Sequence, residues 1–328
     1  MFDGVLFFPI TPFTEDDQVD HEVLAEHLER GLGFGPGGIF IACGTGEYHA
    51  LSPREFSGVV RTAVDTTAGR VPVFAGAGGP VGLAKEMAVA AKEAGADGLL
   101  LLPPYLVGSP QSGLIDYVKA VAAATDLPVI VYHRGNARFD VASAVEVAAL
   151  PTVVGFKDGV GDLDLMSRIV RAVVDATADS GKSFLFFNGL PTAEASQSAY
   201  RAIGVPLYSS ATFAFAPELA VAYYNALESN DQQRLETLSR EFFHPIVQLR
   251  DQVPGYAVSL VKAGAEMGGI RSGHVRPPLV DMSAEHRTEL AEIIAAGRRV
   301  LAGDLTDPAS VPQEQTASSY VDAPVLLG

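Results

Sequence analysis

One cysteine, Cys43, stands in the whole chain, and tryptophan is absent. A single thiol cannot close an internal disulfide, so nothing calls for an oxidising compartment. Basic residues are scarce too: 23 Lys and Arg face 39 Asp and Glu, for a formal net charge of −16. Nucleic acid and anionic membranes recruit clustered positive charge, so neither is expected as a partner. An acidic small molecule remains open, because a pocket needs only a few local donors. No apolar run approaches the roughly 20 residues that span a bilayer. Met1-Phe2-Asp3-Gly4 lacks the basic start of a secretory signal, and the expectation is a soluble cytoplasmic chain. The seven histidines show neither HExxH nor His-x-His spacing, so no metal site is expected.

What the chain has is a repeat. The 328 residues, 48% of them hydrophobic, suffice for one large α/β barrel or two ordinary domains. Short apolar runs recur at residues 5–9, 38–42, 72–75, 98–102, 128–132, 153–156, 184–187 and 205–208. Each reads as a strand buried on both faces. Amphipathic segments at 19–32, 52–66, 83–94, 112–125, 142–150, 164–178, 193–201 and 217–227 read as the helices that follow. Ser52, Pro53 and Glu55 spell a capping box with proline in the first turn. Strand then helix, eight times over, is the arithmetic of a (β/α)₈ TIM barrel, with a doubly wound open sheet as the rival. After Asn230 the strand pattern stops, and residues 231–249, 254–266 and 283–301 predict helices. The expected organisation is a barrel over 1–230, a C-terminal helical domain over 231–303 and a loosely ordered tail over 304–328.

Barrel enzymes place their chemistry at the C-terminal ends of the strands. Of the six lysines, only Lys157 ends a predicted strand. Burial disfavours an ammonium, and a neutral amine attacks ketones. The competing reading is a lysine that reaches solvent or pairs with Asp158. Tyr132, which ends the preceding strand, tilts the balance, because imine chemistry needs a nearby proton carrier. Gly44-Thr45-Gly46-Glu47 offers consecutive amides that could cup an anion, or a plain strand-to-helix turn. His49 and His133 read as loop histidines, and Glu15-Asp16-Asp17 as a solvated face.

Thr11-Pro12-Phe13, Gly44-Thr45-Gly46-Glu47, Tyr132 and Gly155-Phe156-Lys157-Asp158 together resemble the dihydrodipicolinate synthase / N-acetylneuraminate lyase family. The resemblance runs over residues 2–301, with Val275-Arg276-Pro277-Pro278-Leu279 as a late family-like segment. It implies a (β/α)₈ barrel with a C-terminal helical domain, a homo-oligomer (tetramer or dimer), and a lysine that forms a Schiff base with a 2-keto acid. No metal or organic cofactor is implied.

Departures from the family pattern select a branch. The synthases of the family carry adjacent threonines in the second-strand loop and adjacent tyrosines after the fourth strand. Here the positions read Gly44-Thr45 and Tyr105-Leu106, which argues against lysine biosynthesis. "LLPPYL", "GFKDGVGD", "NGLPTAE" and "YSSATFAFAPE" look instead like the decarboxylating dehydratases of the family, which act on a six-carbon keto-diacid. "YHRGNA" is close to that branch without matching it, so the roles of His133 and Arg134 stay open. By this resemblance Lys157 is the nucleophile, Tyr132 moves protons and Thr45 orients it. Gly44, Thr45 and Gly46 hold the carboxylate beside the ketone. Asn188, Thr192, Ser209 and Ser210 meet the distal hydroxyls and carboxylate. The alternatives are an aldolase of the same family releasing pyruvate, the lysine-pathway synthase, and an inactive member that senses a keto acid.

Overall fold

The computed structural model describes residues 2–303; the tail expectation for 304–328 falls outside the described residues. Eight strands form: β1 (Leu6–Phe7), β2 (Gly38–Ile41), β3 (Val73–Ala77), β4 (Gly98–Leu101), β5 (Val129–His133), β6 (Val153–Asp158), β7 (Leu185–Asn188) and β8 (Leu207–Ser210). Each pairs in parallel with the next, and β8 returns to β1, closing the barrel that the repeat predicts. The open-sheet rival is excluded by that closure. The outer layer is α1 (His21–Leu32), α2 (Pro53–Thr67), α3 (Val81–Glu93), α4 (Gln111–Ala122), α5 (Val141–Ala148), α6 (Leu163–Thr177), α7 (Gln197–Ala202) and α8 (Pro217–Ser229). The capping box at Ser52 forms in both directions.

The C-terminal helices are α9 (Gln232–Leu238), α10 (His244–Arg250), α11 (Tyr256–Met267) and α12 (Ala284–Ala302). The single helix expected over 231–249 is instead α9 and α10 joined by a π-helical turn, Ser239–Phe243. Pro245 explains the break: it has no amide proton to return to the preceding turn, so the ladder widens before it. No helix among the described residues is long and apolar enough to cross a membrane.

Strand side chains alternate between the barrel interior and the helix layer. The interior is filled with phenylalanine. Phe8 stacks on Phe40 at 4.7 Å, and Phe40 on Phe74 at 5.3 Å. Phe2 meets Phe40, Phe74 and Phe187 at 5.3–5.9 Å. Such tilted and stacked rings add to the gain from burial alone, and they make the barrel a packed core below the lysine.

A charged cluster fastens the C-terminal segment to the first two strand loops. Glu47 is fully buried and pairs with Lys262 of α11 at 2.7 Å, and its second oxygen accepts the Arg276 backbone amide at 2.8 Å. Lys262 and Arg276 both lie over the Phe13 ring, at 4.1 and 4.0 Å. Arg276 also donates to Asp17 and Glu55. Asp17 is therefore an anchor for Arg276, where the acidic run reads as a solvated face.

Candidate active site

β5 and β6 pair so that Tyr132 stands beside Lys157. Both side chains therefore enter the barrel at one level. Lys157 is 4% exposed, with Nζ 4.1 Å from the Phe8 ring centre and 4.5 Å from that of Tyr132. Burial pushes its amine down to about 7; Cys43 opposes the fall, and the Arg134 charge adds a smaller push in the same direction as burial. Asp158 does not neutralise it. The next residue on the strand faces the opposite way, and the Asp158 carboxylate accepts from the Tyr200 hydroxyl at 2.5 Å and from the Val160 amide at 2.8 Å. Of the two readings of Lys157, pairing with Asp158 is thus removed by strand geometry.

The Tyr132 hydroxyl donates to the Gly189 carbonyl at 2.6 Å and accepts from Arg134 Nη1 at 2.8 Å. Burial raises its pKa, and Arg134 opposes the rise. Among the described residues, Gly189 and Arg134 hold this phenol; Thr45, the residue expected to orient it, does not. Glycine is required at 189: a Cβ there would sit 2.6 Å from Lys157 Cε and 2.8 Å from the Asp158 carbonyl. The bare backbone lets the β7 loop close over the lysine.

These groups open onto a cavity of about 250 Å³. Of the residues expected there, Lys157, Tyr132, Gly44, Thr45, Thr192 and Ser209 line it. Three expectations are corrected. Asn188 is paired with Asp158 in register and so faces outward, where its amide donates to the Ala193 carbonyl, Ser196 and Gln197. Ser210 also faces outward, donating to the buried Glu194 carboxylate at 2.5 Å. Gly46 sits behind the lining, its carbonyl accepting from Thr11 at 2.7 Å. All three build the loops that carry the site without reaching its surface.

Thr192 holds a left-handed backbone, φ 51°, which is unusual for a β-branched residue. Its hydroxyl accepts from Arg250 Nη1 at 2.9 Å, and the same nitrogen donates to the Pro191 carbonyl. With one lone pair engaged by a cation, the Thr192 hydroxyl still has its own proton to donate. Glu194 just beyond is buried, and desolvation raises its pKa to about 7.

Several lining residues escape sequence reasoning. Tyr105, Arg134 and Arg250 all contribute to the wall. Arg134 carries a usable signal: it lies two residues past Tyr132 and so shares its side of the strand. Arg250 carries none, since α10 reaches the cavity only through tertiary packing. His133 is 2% exposed and outside the lining; its Nδ1 accepts from the Phe139 amide at 2.9 Å, leaving the Nε2 proton directed toward Asp158 at 4.0 Å. Cys43 is buried, and its thiol is pushed up to about 12 by desolvation, so it is a poor nucleophile. Among the described residues, no group of three or more His, Cys, Asp and Glu is arranged to hold a metal ion.

The geometry therefore offers a desolvated amine, a phenol beside it, amides and hydroxyls on two sides, and two guanidinium groups on the wall. That combination suits covalent attack on the ketone of an anionic substrate.

Comparison with known proteins gives the following. The sequence profile of the dihydrodipicolinate synthetase family matches residues 1–297. A protein of Streptomyces griseus subsp. griseus named probable 5-dehydro-4-deoxyglucarate dehydratase is 54% identical over 299 residues, covering 91% of this chain and 93% of its own length. A protein of Methylobacterium radiotolerans with the same name is 44% identical, covering 90% and 95%. Among solved structures, dihydrodipicolinate synthase from Oceanobacillus iheyensis superposes with a TM-score of 0.82 at 27% identity, covering 90% of this chain and 97% of that one. The chloride-inhibited synthase of Acinetobacter baumannii, complexed with pyruvate, gives 0.78 at 27% identity, covering 91% and 99%.

Proposed function

The chain belongs to the dihydrodipicolinate synthetase family, and within it we propose a decarboxylating dehydratase that converts 5-dehydro-4-deoxyglucarate to 2,5-dioxopentanoate, CO₂ and water, a step of glucarate catabolism. The observation that carries the reading is the Lys157 amine, buried with no carboxylate partner among the described residues and in register with Tyr132. The names borne by the relatives supply the substrate.

The neutral amine of Lys157 adds to the C5 ketone. The carbinolamine hydroxyl leaves as water with the proton of Tyr132, and the iminium makes the C4 protons acidic. The Tyr132 phenolate takes one of them, giving an enamine. The enamine expels the C3 hydroxyl, which departs as water with the proton that Tyr132 returns. The conjugated iminium left behind accepts the electron pair of the C1–C2 bond as C1 leaves as CO₂. Reprotonation and hydrolysis release the aldehyde and regenerate the amine. One electron sink thus serves two bond cleavages.

The amides of Gly44 and Thr45 are assigned to the carboxylate beside the ketone, where their fixed dipoles need no reorganisation. Ser209 and Thr192 are assigned to the distal hydroxyls and carboxylate. The test is incubation with 5-dehydro-4-deoxyglucarate, following CO₂ and the semialdehyde. Release of pyruvate in their place would assign the chain to the aldolases; turnover of neither kind would overturn the reading.

A further inference from the structure

The phenol of Tyr132 has two neighbours of opposite character. The Gly189 carbonyl, 2.6 Å away, can only accept, and Arg134 Nη1, 2.8 Å away, can only donate. The neutral phenol satisfies both. Once its proton has gone, the Gly189 contact sets oxygen against oxygen, and the guanidinium is the group left to hold the negative charge. We propose that Arg134 is the positioning residue that stabilises the Tyr132 phenolate, so that one tyrosine gives a proton to the leaving hydroxyl and then takes one from carbon. The proposal rests on the Schiff-base reading above.

Three features of the structure support it. Arg134 is fixed by a closed backbone turn: its amide donates to the Ala137 carbonyl at 3.2 Å, and the Ala137 amide returns a bond at 3.0 Å. Gly135, at φ +58°, makes that turn. The guanidinium carbon also stands 5.7 Å from the Tyr132 ring centre, so the side chain lies over the residue it serves. Finally, the other influences on the phenol disfavour its anion. Burial, Asp158 on the adjacent strand and Cys43 across the barrel all raise its pKa, and Arg134 opposes them.

The same charge acts on Lys157. Around that amine, Arg134 favours the neutral form and Cys43 opposes it. Arg134 therefore supports both halves of imine chemistry, the free amine that attacks and the phenolate that deprotonates. It donates no proton itself, since a guanidinium remains charged across the working range; the protons travel from Tyr132 to the departing water and from carbon to Tyr132.

Pyruvate is the probe, because it forms the imine but has no distal carboxylate. Two quantities are read: borohydride trapping at Lys157, and exchange of the pyruvate methyl protons for deuterium by NMR. In Arg134→Gln, trapping at saturating pyruvate should persist while exchange falls by about 10- to 100-fold, the scale of a lost charge-assisted hydrogen bond. The lower limb of the pH profile for imine formation should move to higher pH, because removing a neighbouring positive charge makes the amine more basic. Arg134→Lys, which keeps the charge, should restore part of the exchange. Unchanged exchange in Arg134→Gln, with loss confined to the diacid substrate, would make Arg134 a carboxylate binder and overturn the proposal. Equal losses in both variants with an unmoved pH profile would reduce it to a structural support, with the same consequence. Absence of a trapped imine in the unaltered protein is a separate result, which removes the Schiff-base reading and this proposal with it.

Discussion

Replacing Lys157 with methionine should abolish activity and stabilise the fold, and the gain should depend on pH in a defined direction. A free lysine titrates near 10.5, whereas burial brings Lys157 to about 7. At 1.36 kcal/mol per decade, that gap corresponds to roughly 5 kcal/mol against the folded state when the amine is charged. The rings of Phe8 and Tyr132 face the ammonium at 4.1 and 4.5 Å. Cation–π attraction of about 0.5–2 kcal/mol is part of what the folded state already provides, so about 2–5 kcal/mol is the expected gain at pH 7. Methionine fills the channel without a charge and without branching. Between about pH 7 and 10.5 the unfolded chain binds the proton that the folded one has released. Stability of the unaltered protein therefore rises with pH through this window, and that of Lys157→Met lacks this contribution. The advantage of the variant should shrink by about 2 kcal/mol between pH 7 and pH 9. Urea unfolding of both proteins at matched concentration measures it. Parallel curves, or a variant less stable at pH 7, would refute the claim that this amine is strained by burial.

Tyr132→Phe should leave imine trapping measurable and slow turnover by roughly 10²–10⁴-fold, the span of a lost general acid–base; near-normal turnover would move the proton transfer to another group. Lys262→Met strands the buried Glu47 carboxylate and should destabilise by about 3–5 kcal/mol, whereas Lys262→Met with Glu47→Gln should recover much of that in urea unfolding. Ser209→Ala should impair CO₂ release more than imine formation with pyruvate, at a cost of about 1–3 kcal/mol for the unpaired substrate group. Ser210→Ala should instead lower stability with little effect on turnover per folded molecule, since its partner is Glu194.

The barrel was legible because its signal is repeated and local: eight apolar runs, each ended by glycine, proline or a polar residue, leave little choice of topology. Lys157 was legible for the same reason, as a charge where the pattern demands an apolar residue. The errors at Asn188 and Ser210 were avoidable in principle. Lys157 faces inward, and its register partners are Tyr132 and Phe187, so Asn188, one residue on, faces out. The same parity carried to β8 puts Leu207 and Ser209 inside and Tyr208 and Ser210 outside. A serine pair at a strand end looks like two ligands; strand alternation allows only one of them to face the cavity.

Arg250, Lys262 and the pairing of Glu47 were not legible, because each depends on helices that follow the barrel in sequence and return to its mouth. Glu47 alone looks like the end of a glycine-rich turn, with a backbone forced to φ 53°. Its conformation makes sense only once Lys262 and the Arg276 amide supply its partners. Thr192 is the mirror case across the cavity: a second left-handed residue, φ 51°, whose hydroxyl is held by Arg250. Strained backbone persists where surrounding structure over-determines it. At both loops the surrounding structure comes from the C-terminal helices and the segment between them. Those helices therefore hold the two cavity-lining loops in conformations the loops would not keep alone, and the amine is left between loops set by distant parts of the chain.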